Sequence, residues 1–261
     1  MSGRPVPAAE APPVPPPQEW HADFLLNGRV TLLQPDGGYR AAIDPVFLAA
    51  VTAAVSGDRV LDAGTGTGAA ALCLAARVAG ATVVGLEQRA DACAFARRNA
   101  DLSGLAGRVT VVEGDLLDPP ATLGRGGFDR VMMNPPYLKA DAASRPPDDW
   151  KAAANVEGAA RLTDWVRFAD RMLKPRGTLT MVHRADRIED ILGALRGRFG
   201  SLVLVPLWPK PGVEAKRLLL VARKGGKAPA RLTAGLTVHD ADGGYSAAAA
   251  RVLRDAGELA L

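Results

Sequence analysis

Short apolar runs along this chain alternate with Ala- and Leu-rich stretches whose apolar positions recur at helical spacing. Residues 59–63, 82–87, 109–114, 128–133 and 178–182 read as strands, each a compact Val-, Leu- or Met-rich run bounded by Gly, Asp or Pro. Residues 69–79, 89–103, 157–173 and 186–198 carry the helical period. Alternation of the two predicts an α/β domain on a parallel sheet. The last two apolar runs, 202–208 and 216–222, are joined only by a loop containing Pro209-Lys210-Pro211-Gly212, which predicts an antiparallel pair at one edge. Ahead of the first strand, residues 23–35 predict a hairpin turning at Asn27-Gly28. Asp44-Pro45 then predicts a helix over 46–55 with Asp44 as N-cap.

The same pattern sets the expected boundaries. Residues 1–19, with Pro12-Pro13-Val14-Pro15-Pro16-Pro17, hold too little apolar content for a core and predict a disordered Pro-rich tail. A hairpin and helix cover spans 20–56, the main domain 57–226, and a C-terminal extension 227–261, read as a flap without evident chemistry. Residues 138–156 are polar and proline-interrupted, which predicts a substrate-side lid with Lys139, Arg145 and Lys151 on a phosphate-contacting rim. The stripe Leu162, Trp165, Val166, Phe168, Ala169, Met172 and Leu173 reads as core, and His183 as a hydrogen-bonded residue at a strand end.

Composition narrows the classes. With 261 residues, 48% of them hydrophobic, the chain can bury a sizeable core. A net charge of +4 permits a nucleic-acid partner without requiring one. Arg223, Lys224, Lys227 and Arg231 are read as solvated surface. The two cysteines, Cys73 and Cys93, lack metal-ligand spacing and read as small core residues, so no metal is expected. No apolar run approaches the ~20 residues of a membrane span, and the N-terminus has no hydrophobic signal core. No membrane partner is expected, and the cytoplasm is the expected compartment.

The candidate chemistry lies at strand ends. The run at 59–63 opens into Asp62-Ala63-Gly64-Thr65-Gly66-Thr67-Gly68 and then a helix, the first half of a βαβ unit whose glycines let a ligand approach the backbone. Glu87 ends the next strand about twenty residues on, where a carboxylate holds ribose hydroxyls. Asp115 follows the third. Gly64, Gly66 and Ala69 also satisfy a dinucleotide fingerprint, so a nicotinamide or flavin enters the comparison. Asp62 tips the balance, because a carboxylate there suits an ammonium group and repels a pyrophosphate. S-adenosylmethionine carries an ammonium, a ribose and an adenine, and no phosphate. The fourth strand stops at Asn134-Pro135-Pro136-Tyr137, where neither proline can donate a backbone hydrogen bond. An amide acceptor, a stiff turn and an aromatic ring there suggest a clamp for a flat, amino-bearing group. Asn134 and the Pro135 carbonyl would each accept one N–H, with Tyr137 stacking on the base.

Those motifs resemble the class I S-adenosylmethionine-dependent methyltransferases, in their amino-methylating branch. Within it, the segment from about Phe24 to Gly225 resembles the bacterial tRNA (valine) adenine-N6 methyltransferases. The likeness rests on Gln34-Pro35 with Gly38-Tyr39-Arg40, Asp44-Pro45-Val46-Phe47-Leu48, Met172-Leu173-Lys174-Pro175-Arg176-Gly177, and 215–221. The resemblance implies a Rossmann-like seven-stranded sheet, mostly parallel with one reversed strand and helices on both faces. It implies S-adenosylmethionine as methyl donor and S-adenosylhomocysteine as product, with Asp62, Gly64, Gly66, Gly68, Glu87, Asp115 and Asn134 at the cofactor. Asp44 borders the cofactor by the same likeness. Asn134, Pro135 and Tyr137 form the catalytic clamp, and tRNA is the expected partner. The alternatives are methylation of a protein glutamine, as in the release-factor methyltransferases that share this clamp, and a non-catalytic module retaining the pocket.

Overall fold

The computed structural model describes residues 20–35, 43–137, 159–259 and 261. Strands β1 (Trp20–Leu25) and β2 (Val30–Pro35) form an antiparallel hairpin, followed by helix α1 (Asp44–Val51). The alternating part runs β3 (Arg59–Ala63), α2 (Ala69–Arg77), β4 (Thr82–Glu87), α3 (Ala90–Leu102), β5 (Val109–Glu113) and β6 (Phe128–Met133). It continues with α4 (Leu162–Met172), β7 (Leu173–Arg184), α5 (Ile188–Leu195), β8 (Phe199–Trp208) and β9 (Arg217–Lys224). Two short strands, β10 (Arg231–Leu232) and β11 (Leu236–Thr237), and helix α6 (Ala247–Asp255) complete it. The expected tail, and the lid with Lys139, Arg145 and Lys151, lie outside the described residues.

Seven strands stand in the order β5-β4-β3-β6-β7-β9-β8, all parallel except β9, which is antiparallel to both neighbours. That is the sheet expected from the sequence. Beyond β8 the sheet gains β10 and β11, both parallel to it, for nine strands. Strands of two residues carry no readable period, so neither was expected. Val60, Leu61 and Ala63 are fully buried because helices cover both faces, so β3 is buried on successive positions and does not alternate. The chain moves outward from β3 to β5 and returns to β6 on the other side of β3. The strand order thus reverses between β3 and β6, and their diverging carboxyl ends open a crevice. Ala63 is level with Leu86 and with Met133, so Gly64, Glu87 and Asn134 all emerge at that rim.

Helices α1 and α2 share one apolar cluster with the hairpin residues Leu26, Val30 and Leu32, while α4 and α5 pack with Leu61, Val131 and Leu179 in a second. The C-terminal extension is joined to the first cluster through Leu236, Val238, Ala249 and Val252. Arg77 Nη2 donates to the Gly257 carbonyl at 2.5 Å, and the Leu259 amide donates to the Ala50 carbonyl at 3.3 Å. The extension is therefore packed on the cover, not a free flap. The hairpin also turns more widely than expected. Leu25 pairs with Val30, leaving four residues in the loop, and Leu26 and Asn27 both sit at φ 53°. Leu26 is 1% exposed, and burying it requires the longer loop.

Candidate active site

The glycine-rich turn folds back over the end of β4: the amides of Gly64 and Thr65 both donate to the Leu86 carbonyl, at 2.8 and 3.0 Å. Gly64 has φ 67°, and a Cβ there would stand 2.5 Å from Cη2 of Trp165. Only glycine lets the turn lie flat against that indole. The turn, the ends of β4 and β5, and Asn134 surround one cleft of about 370 Å³, a size suited to a small ligand.

Asp62 lines the cleft at 2% exposure, and one oxygen accepts the Thr65 hydroxyl at 2.7 Å. Burial pushes its carboxyl up to about 7, and the nearby Glu87 adds to the rise, while the Thr65 hydrogen bond works against it. No cation pairs with Asp62 among the described residues, so its charge is left for a ligand. Glu87, also on the wall, accepts the amides of Gly66 and Arg89 at 3.0 Å each, and burial pushes its carboxyl up as well. Its expected duty to ribose hydroxyls is thus combined with fastening the glycine turn. Asp115 borders the cleft with one oxygen accepting the Leu117 amide at 2.8 Å. Gly66 lines the same wall, and Gly68 caps α2 at φ 91°.

Three carboxylates around one cleft make a poor seat for a pyrophosphate and a suitable one for a cationic, ribose-bearing ligand. The chemistry of the residues present suits S-adenosylmethionine, with Asp62, Glu87 and Asp115 available in order to its ammonium, its ribose and its adenine. Among the described residues no cluster of His, Cys, Asp or Glu could hold a metal ion, and no helix is long and apolar enough to cross a membrane.

Asn134 and Pro136 also line the cleft, and Pro135 is buried between them without bordering it. Asn134 Oδ1 is buried and has no hydrogen-bond partner. An unpaired buried acceptor is costly, by about 1–3 kcal/mol, unless a bound group supplies a donor.

Two expectations change. Tyr137 does not offer a stacking face to the cleft: it is 6% exposed, its hydroxyl donates to Asp44 Oδ2 at 2.7 Å, and the Arg217 guanidinium covers its ring at 4.5 Å. Asp44 does not cap α1. Ile43 occupies the cap position, and the Asp44 carboxylate turns to Tyr137 and to Arg217 Nε at 2.8 Å, while Pro45 next to it reaches the cleft. A phenol and a guanidinium satisfy a buried carboxylate better than a helix amide does, which explains the departure. His183 is fully buried near the end of β7, where burial first, then Arg187 and Arg217, hold its pKa down to about 4 against backbone hydrogen bonds at Arg184 and Pro136.

Three residues had no role assigned by the sequence. Trp165, read as core, lines the cleft. Gln34, fully buried, brings the end of β2 to the same wall. Asn99, also fully buried, donates to the carbonyls of Leu33 (3.1 Å) and Thr67 (2.9 Å) and accepts the Leu33 amide at 2.8 Å. It ties the hairpin to the glycine turn. A polar residue on the apolar side of α3 was the one available signal.

Residues 43–205 match the model of the methyltransferase small domain family. A tRNA1(Val) (adenine(37)-N6)-methyltransferase from Porphyromonas gingivalis W83 is 36% identical over 71% of this chain and 74% of its own. One from Aeromonas hydrophila is 30% identical over 79% and 85%. A release factor glutamine methyltransferase from Geobacter sulfurreducens is 37% identical, over 51% of this chain and 48% of its own. Among solved structures, a predicted O-methyltransferase from Agrobacterium tumefaciens superposes with a TM-score of 0.69 at 28% identity, covering 84% of this chain and 98% of the other. The family match spans β3 to β6 with the glycine turn, the three carboxylates and Asn134, so the chain belongs to the methyltransferase small domain family and is an S-adenosylmethionine-dependent methyltransferase.

Proposed function

We propose that this enzyme methylates the exocyclic N6 amine of an adenine in tRNA, and that it does so in the cytoplasm. The observation that carries the reading is the unpaired Asn134 Oδ1, on a residue that lines the same cleft as the three carboxylates. Bound S-adenosylmethionine supplies an electrophilic methyl group. An exocyclic amine is a weak nucleophile because its lone pair is delocalised into the ring. By accepting one N–H, Asn134 holds the nitrogen in place and draws it toward tetrahedral geometry, which frees the lone pair. The Pro135 carbonyl is the proposed acceptor of the second N–H.

The gain comes from placement and preorganised hydrogen bonding. No charged base is needed before transfer, and afterwards the excess proton leaves to water. His183, held neutral and fully buried, takes no part. Adenine is favoured over a glutamine side chain by coverage: the relatives named for adenine-N6 methylation align over 71% and 79% of this chain, the glutamine enzyme over 51%. Labelled S-adenosylmethionine offered with tRNA and protein fractions decides between them. Label in tRNA that digests to N6-methyladenosine supports the reading, and label confined to protein overturns it.

A further inference from the structure

Behind the Asn134-Pro135-Pro136 turn lies a polar cluster that the donor cleft does not use. Asp44 Oδ2 accepts both the Tyr137 hydroxyl at 2.7 Å and Arg217 Nε at 2.8 Å. The Arg217 guanidinium lies 4.5 Å from the centre of the Tyr137 ring, and His183 meets that ring edge-on at 5.4 Å. Arg187 Nη1 donates to the Tyr137 carbonyl at 3.0 Å. These groups arrive from α1, from the end of β7 with the 3-10 turn after it, and from the start of β9.

The turn itself explains why such a cluster is needed. Pro135 and Pro136 have no backbone N–H, so the segment leaving β6 cannot be fastened by its own amides at those positions. Tyr137, three residues beyond Asn134, is where side chains from three other elements take hold of it. The acceptor is buried and unpaired, and a displacement of about 1 Å at a reacting group can cost on the order of a hundredfold in rate.

We propose that Asp44 and Arg217 are positioning residues for methyl transfer, latching Tyr137 behind the turn so that Asn134 Oδ1 is presented to the amine in one place. This inference rests on the amine-methylating role of Asn134. The reversed strand β9, otherwise remote from the chemistry, thereby acts on the clamp. Asp44 is 6% exposed and shared by two donors, so loss of either leaves it under-satisfied, and the members should act as a unit.

The test compares Tyr137→Phe, Asp44→Asn, Arg217→Lys, Arg217→Ala and the Asp44→Asn/Tyr137→Phe double variant in steady-state kinetics, with donor affinity measured by calorimetry. The latch predicts a fall in kcat of roughly tenfold or more in Tyr137→Phe and Asp44→Asn, with KM for S-adenosylmethionine within about twofold. The double variant should be no worse than the worse single, and Arg217→Lys should retain more activity than Arg217→Ala. Unchanged kcat, multiplying losses in the double variant, or a rise confined to the acceptor KM would each overturn it. Fluorine spectra of protein labelled with 3-fluorotyrosine read the latch without any acceptor. There are three tyrosines, and Tyr137→Phe assigns the signal. That resonance should move in Asp44→Asn and Arg217→Lys, and an unmoved resonance would refute the latch. Wild-type enzyme that leaves tRNA unmethylated would count against the acceptor reading alone.

Discussion

Asp62→Asn should make the free protein more stable while weakening its hold on the methyl donor. Asp62 is 2% exposed, accepts the Thr65 hydroxyl, and has its carboxyl pushed by burial from the ordinary 3.8 to about 7. The unfolded chain releases this proton near 3.8 and the folded chain near 7. The carboxyl's contribution to stability is therefore full below the lower value and is lost as pH rises through the upper one. At about 1.4 kcal/mol per pH unit, the charged carboxylate costs the folded state about 4 kcal/mol once pH exceeds 7. Asparagine has nearly the same shape, still accepts from Thr65, and carries no charge. The variant should gain up to that amount at about pH 8, an upward shift in melting temperature of several degrees, and the gain should vanish near pH 4. Donor affinity should fall by roughly tenfold or more, since a charge-assisted hydrogen bond is lost. Thermal melts across pH 4 to 8 and calorimetry with S-adenosylmethionine measure both. Parallel melting curves for the two proteins at every pH, or unchanged donor affinity, would refute the reasoning.

Other outcomes follow from the same geometry. Asn134→Ala should lower kcat by about a hundredfold or more, the scale of losing one preorganised polar group, while calorimetry finds donor affinity nearly unchanged. Gly64→Ala should cost about 2 kcal/mol or more by denaturant titration, from the strain of positive φ and the 2.5 Å approach to Trp165. Trp165→Leu added to it should recover only the steric part. His183 is held at about 4, below the ordinary 6.5, so its contribution is full above 6.5 and lost as pH falls through 4. His183→Leu should show a shallower acid-side loss of melting temperature than wild type, with equal slopes refuting the assignment.

What the sequence made legible is what local pattern controls. Strands β4 and β6 fall within the residues expected of them because apolar runs end at an acid or at two prolines. Asp62, Glu87, Asp115 and Asn134 meet in one cleft because parallel strands bring their carboxyl ends to one rim. The misreadings involve partners distant along the chain. Asp44 looks like a helix cap, since its true partners Tyr137 and Arg217 stand 93 and 173 residues away. Trp165 belongs to an apolar stripe, and only the glycine turn folded against it reveals that it also faces the cleft. Asn99 ties the hairpin to the glycine turn by bonds to backbone groups, which leave no trace in the residue types of its partners.

The central claim is methyl transfer to an adenine amine held by Asn134. Nucleoside mass spectrometry of tRNA from cells lacking this protein tests it most directly. N6-methyladenosine should disappear, return with the wild-type chain and stay absent with Asn134→Ala. An undiminished N6-methyladenosine signal in the deletion strain would contradict the account.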